Sequence, residues 1–150
     1  RDMLAACEAA LPVAVAVCAA AVADWRVASP AKQKIKKNGA APTLDLVENP
    51  DILHSLALRN RDRPALVVGF AAETEDLLKN AEAKRRRKGC DWMVANDVGA
   101  AAGTFGGDFN QVHVLTAAGT ESWPRLDKSA VARRLAERIA AHFSAQDSKA

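Results

Sequence analysis

Apolar and polar positions follow two different periods along this chain. "VAVAVC" (13–18), "PALVVGF" (64–70) and "DWMVAN" (91–96) are short, nearly unbroken apolar runs. Runs of that length predict strands buried on both faces. "TLDLVE" (43–48) alternates residue by residue and predicts a half-exposed strand. "QVHVLT" (111–116) and "ESWPRL" (121–126) flank the turn residues "AAGT" and predict a hairpin. Helical spacing appears over 2–10, over 49–60 and from Thr74 to Gly89. It returns over 127–143, where Val131, Leu135, Ile139 and Phe143 form an apolar stripe behind Asp127 as cap. In the second helix Asn49 is the expected N-cap and Pro50 the first helical residue. In the third, Thr74 is the expected cap, Glu75 and Asp76 supply an acidic first turn, and Gly89 is the stop. Residues 19–26 read as a turn or short helix, 28–42 as a loop and 97–110 as a glycine-rich loop.

Strands that alternate with helices predict βαβ units. The expected fold class is α/β: a Rossmann-like three-layer αβα fold, with a mainly parallel sheet and an antiparallel hairpin at one edge. Ligands of such sheets bind outside the carboxyl ends of the strands, here "CAAAVAD", "GFAAET" and "ANDVG".

Composition sharpens the picture in three ways. The 150 residues are enough for one domain with a core of its own. The net charge of +3 hides two basic clusters, 32–37 (KQKIKK) and 84–88 (KRRRK), which hold nine of the 21 basic residues. The remainder carries 12 basic against 18 acidic residues, so the chain is an acidic body with two basic spots. That distribution fits a localised anionic ligand better than a surface that tracks nucleic acid. The three cysteines, Cys7, Cys18 and Cys90, show no CxxC or zinc spacing, which points to a reducing, cytoplasmic setting.

No apolar run reaches the length of a membrane span. Residues 9–23 resemble a signal peptide, but Asp2 and Glu8 beside Arg1 deny it the basic start. The chain opens on Arg1 inside a helical pattern, so an N-terminally truncated domain spanning 1–150 is expected.

The candidate chemistry lies at the strand ends and in the basic clusters. Asp24 follows a run of small residues, where a carboxylate can accept from ribose hydroxyls or simply serve a turn. Gly69, Ala71 and Ala72 would let a ligand approach the backbone. Phe70 suits base stacking or the core, and Glu73 suits chemistry or a helix start. Lys84 and Lys88 continue the stripe of Leu77 and Ala81, so they extend the inward face of their helix. A helix after a parallel strand runs away from the carboxyl ends, so these lysines reach a site there only if the helix tilts or the site spans a broader cleft or a subunit boundary. The lysines of 28–42 suit either a mobile lid over phosphates or a solvated run. Neither GxxxxGK[ST] nor GxGxxG occurs. His54, His113 and His142 lack metal-ligand spacing, and Asp108 in "FGGDF" would repel phosphate.

In order, "AAVADWR", "KIKK", "NPDI", "VVGFAAET", a basic helix and "ANDV" resemble one family, phosphopantothenate–cysteine ligase, over about residues 13–143. The resemblance implies a ligase of coenzyme A biosynthesis. It would join 4′-phosphopantothenate to cysteine through an acyl-cytidylate made with CTP and Mg2+, and act as a homodimer. FMN would belong only to a decarboxylase domain absent from this chain. Membrane and nucleic acid would not be partners.

Carried over by position, Cys18, Ala19 and Ala20 match the nucleotide-contacting strand end, and Asp24 the ribose-binding aspartate. Lys34 matches the first lysine of the lid, a catalytic position, with Lys36 and Lys37 supporting it. Pro50, Asp51, Ile52 and Leu53 match the helix start beside the nucleotide. Phe70, Lys84 and Lys88 complete the set. Trp25 stands where the family usually has tyrosine. The family's glycine- and serine-rich N-terminal segment does not occur in this sequence, so the fragment alone is expected to lack part of the acid-substrate site. The alternative is a non-enzymatic nucleotide- or nucleic-acid-binding α/β module.

Overall fold

The computed structural model describes residues 1–31, 33, 34, 36, 39, 43–99 and 107–147. Its elements are α1 (Asp2–Ala9), β1 (Val15–Cys18), β2 (Trp25–Val27), β3 (Leu46–Glu48), α2 (Ile52–Ala57), β4 (Leu66–Glu73) and α3 (Leu77–Lys88). They continue as β5 (Trp92–Asp97), β6 (Phe109–Asn110), β7 (Val112–Thr116), β8 (Gly119–Ser122), β9 (Leu126–Asp127) and α4 (Lys128–Asp147). Five strands form one sheet in the order β1-β4-β5-β7-β8. β1, β4 and β5 run parallel, and the β7–β8 hairpin adds two antiparallel strands at one side. This is the mixed sheet that the alternation of apolar periods predicts.

The two faces of the sheet bury separate cores. Leu66 and Val68 of β4 join Trp92, Val94, Val112, Val114 and Trp123 under Val131 and Leu135 of α4. Val67 and Ala71, pointing the other way, join Met93, Ala95 and Leu115 under Ala81 of α3 and Ala57 of α2. That two-sided burial explains why "PALVVGF" reads as a continuous apolar run. Ile139 and Phe143 continue the α4 stripe onto the first core. Asp127 caps α4 as expected, its carboxylate accepting from the Ala130 amide at 2.8 Å.

Several local expectations are corrected. β1 is an edge strand and pairs only with β4 among the described residues. With fewer neighbours to cover it, Val17 is 46% exposed rather than buried. Residues 25–27, read as turn or helix, form β2 and pair antiparallel with β3. The cap of α2 is Asp51, whose carboxylate accepts from the His54 amide at 3.0 Å, and Asn49 is engaged elsewhere. β4 continues through "FAAE" because β5 pairs with it as far as Glu73↔Asp97. The start of α3 therefore falls beyond Thr74, with Asp76 in a left-handed conformation before the first turn. Gly89 ends α3 at φ 71°, with its amide bonding the carbonyls of Arg85 and Arg86, as its position predicts. Within 97–110, β6 pairs with β9, while 100–106 lie outside the described residues. Among the described residues no helix is long and apolar enough to cross a membrane.

Candidate functional site

β1 stops while its neighbour goes on. Cys18 is the last residue of β1 and pairs with Gly69, whereas β4 runs on to Glu73. The edge of β4 beyond Gly69 therefore has no strand beside it among the described residues. Residues 19–24 turn away from the sheet there as irregular chain. The notch opens into a cavity of about 510 Å³, within the range that small-molecule sites occupy. Cys18, Ala19, Ala20 and Asp24 line it from the end of β1. Pro50, Asp51, Ile52 and Leu53 line it from the start of α2, and Phe70 from β4. Lys84 and Lys88 reach it from α3. Val17 and Ala21–Ala23 continue the first wall, and Met3 and Cys7 of α1, Asn49, Ala72 and Asn96 complete the lining.

The lysines of α3 reach the site because α2 is short. Six helical residues rise only about 9 Å. The end of α2 packs at the end of α3, where a Cβ on Gly89 would meet Leu58 at 2.6 Å. From there the Lys88 ammonium extends along α2 and donates to the Asp51 carboxylate at its cap. Burial alone would raise the Asp51 carboxyl, but Lys88 and the His54 amide outweigh it and hold it below its ordinary value. One carboxylate thus caps α2 with one oxygen and holds Lys88 at the cavity with the other.

The second basic cluster divides its labour. Arg85 and Arg86 both pair with Glu82, at 2.8 and 2.7 Å, on the side of α3 away from Lys84 and Lys88. Arg85 first, then Arg86, pull Glu82 down to about 2. Gly69 also has a different role from the one expected. A Cβ there would lie 2.5 Å from Leu53 Cδ2, so its open space is filled by α2 rather than kept for a ligand. Ala71 is buried in the core, and only Ala72 of that pair faces the cavity.

Burial pushes the Cys18 thiol up, with smaller contributions from Cys7 and Asp51, so it is a poor nucleophile at neutral pH. Lys34 is exposed and lies in the connection between β2 and β3, outside the cavity wall. Lys36 is likewise exposed, and Lys32, Ile35 and Lys37 lie outside the described residues. Among the described residues no group of three His, Cys, Asp or Glu side chains is placed to hold a metal. His113 bonds the Ser122 hydroxyl at 2.8 Å and His142 stacks edge-on against Trp92, and neither lines the cavity.

Sequence reading missed Asn49, which looked like a helix cap, and Met3 and Cys7, whose helix shows no buried face. Only the pairing of β2 with β3, across eighteen residues of connection, brings Asn49 beside Asp24.

Residues 1–143 match the family of DNA/pantothenate metabolism flavoprotein C-terminal domains. The chain is 44% identical over 144 residues to the coenzyme A biosynthesis bifunctional protein CoaBC of Mycolicibacterium smegmatis, covering 89% of this chain and 34% of the relative. Against CoaBC of Escherichia coli K12 it is 39% identical over 127 residues, covering 83% of this chain and 31% of that protein. The chain thus spans about a third of the length of the curated relatives it matches. Among solved structures, the C-terminal domain of a CoaBC protein has a TM-score of 0.71 at 30% identity, covering 95% of this chain and 62% of that one. The DNA/pantothenate metabolism flavoprotein from Streptococcus pneumoniae shares the fold, with a TM-score of 0.72 at 21% identity over 94% of this chain and 69% of that one.

Proposed function

The chain belongs to the family of DNA/pantothenate metabolism flavoprotein C-terminal domains, and from that premise we propose that it is the nucleotide-binding part of a phosphopantothenate–cysteine ligase in coenzyme A biosynthesis. In this reading a carboxylate oxygen of 4′-phosphopantothenate attacks the α-phosphorus of CTP and pyrophosphate leaves. The amine of cysteine then attacks the acyl carbon of the cytidylate, and CMP leaves. The chain's own groups bind and orient. Asp24 accepts from the ribose, the start of α2 and Phe70 flank the base, and Lys84 and Lys88 meet phosphate. Lys34 joins them when its segment lies over the phosphates, where it stabilises charge that develops on pyrophosphate.

Mg2+ would accompany the triphosphate and take its ligands largely from phosphate and water, as that ion commonly does. The absence of a three-residue donor cluster among the described residues is compatible with this. Flavin belongs to a separate decarboxylase domain in this reading, and residues beyond this chain complete the site for the acid substrate. A second copy would pair through the β7–β8 hairpin, whose outer strand β8 ends the sheet. The compartment is cytoplasmic, in keeping with three free cysteines.

One observation carries the reading. Of the twelve residues that the family resemblance selects from five separate stretches, all but Lys34 line the same cavity. The division of the basic helix adds to it. Arg85 and Arg86 are already paired with Glu82, which leaves less of "KRRRK" for a nucleic-acid backbone. Calorimetric titration of the chain with CTP, ATP and single-stranded DNA, with Mg2+ present, tests this. The expected result is one-to-one binding of CTP, weaker for Lys34→Gln, and no DNA binding. Salt-sensitive DNA binding without nucleotide preference would overturn it in favour of a nucleic-acid module.

A further inference from the structure

We propose that Asn49 is a positioning residue. By tying the Ala23–Asp24 backbone to the start of α2, it sets the Asp24 carboxylate at the ribose of the bound nucleotide. The inference rests on the nucleotide reading above and gives Asn49 a role that neither the "NPDI" motif nor its reading as a helix cap supplies.

Residues 19–24 carry the cavity's first wall, yet they belong to no helix or strand. Irregular backbone keeps one geometry only where its polar groups are tied down. The ribbon of β2 and β3 beside it is three residues long, and its last pair toward the cavity is Trp25↔Glu48. Two-stranded ribbons of that size are marginal alone. Asn49 extends the ribbon by one step. Its amide N–H donates to the Asp24 carbonyl at 2.7 Å. Its side-chain Nδ2 donates to the Ala23 carbonyl at 2.8 Å. Its Oδ1 accepts from Arg26 Nη1 at 3.5 Å, and the same guanidinium donates to the Glu48 carbonyl.

An amide side chain is needed for this because it must donate on one side and accept on the other. The cap of α2 does not compete for Asn49, since Asp51 supplies it. Pro50, the next residue, already lines the cavity. The same residue therefore fixes two walls of the site to each other. The Asp24 carboxylate has no protein partner among the described residues, so it is free to accept from a ligand.

The test is to titrate the chain with CTP and with 2′,3′-dideoxy-CTP. The proteins are wild type, Asn49→Ala, Asn49→Asp, Asp24→Ala and the Asp24→Ala/Asn49→Ala double variant. Wild type should prefer CTP by roughly tenfold, the worth of a hydrogen bond to a charged acceptor. Asn49→Ala should bring that preference to about twofold or less, with circular dichroism unchanged. In the Asp24→Ala background, Asn49→Ala should change the preference no further, because the two act as one unit. Asn49→Asp keeps the size and the backbone bond, so it decides the matter if the alanine variant does not fold. Retention of the wild-type ribose preference by a folded Asn49 variant would overturn the inference and leave the nucleotide reading intact. Failure of wild type to bind CTP would sink that reading, and this inference with it.

Discussion

Gly69 lacks a side chain because Leu53 of α2 already fills the space. A Cβ there would come within 2.5 Å of Leu53 Cδ2 and 3.2 Å of Met93 Cε. Leu53 also lines the cavity, so Gly69→Ala acts on the site through α2. The leucine end can yield, but only by moving the helix start or its rotamer. Overpacking of this kind costs about 1–3 kcal/mol. Gly69→Ala should therefore lower the thermal unfolding midpoint and weaken CTP binding together, read by calorimetry on one sample. Unchanged stability would show that α2 does not pack as described. The motif alone could not reveal this, because a glycine at a strand end looks the same whether a ligand or a leucine approaches it. Lys84 and Lys88 were legible for the opposite reason. Their spacing from Leu77 and Ala81 fixes their face of α3 without reference to anything distant.

At the scale of elements, α3 carries a charge arrangement that acid should undo. Glu82 is held down to about 2, from an ordinary value of 4.5, by its bonds to Arg85 and Arg86. A carboxyl made more acidic by folding contributes stability that is complete above the unfolded value. That contribution fades as pH falls from about 4.5 through about 2. Arg86 is 76% exposed, so screening keeps each pair to about 0.3–0.5 kcal/mol. Wild type should unfold at a slightly higher temperature than Glu82→Gln at neutral pH, and the gap should close near pH 2. A gap that persisted at that pH would show that the difference does not come from the ion pairs. Elements held by local sequence, such as α3 with its Gly89 stop and α4 with its Asp127 cap, are legible in the sequence. β2 is not. "WRV" becomes a strand only through β3, and residues 28–45 lie between them. The caps of α2 and α3 shifted for a related reason: Asn49 was drawn to Ala23, and β5 drew β4 on to Glu73, beside Thr74.

For the whole molecule, the sheet places chemistry where its topology leaves a gap. The parallel strands β1, β4 and β5 bring "CAAAVAD", "GFAAE" and "AND" to one edge, and early termination of β1 opens the notch. The alternation of apolar periods foretold the layers, the sheet and the edge at which the cavity opens. It did not foretell that α1 would add Met3 and Cys7 to the wall, since that helix has no buried residue to mark its packing face. An acidic body with two lysines turned into one cavity is the electrostatic form of the functional claim. The most direct test is a map of backbone amide NMR shifts as CTP is added to the chain with Mg2+. The account predicts changes concentrated at Cys18–Asp24, Lys34, Asn49–Leu53, Phe70 and the Lys84–Lys88 turn, with the β7–β8 hairpin unmoved. Saturable changes elsewhere, or none at these positions, would contradict it.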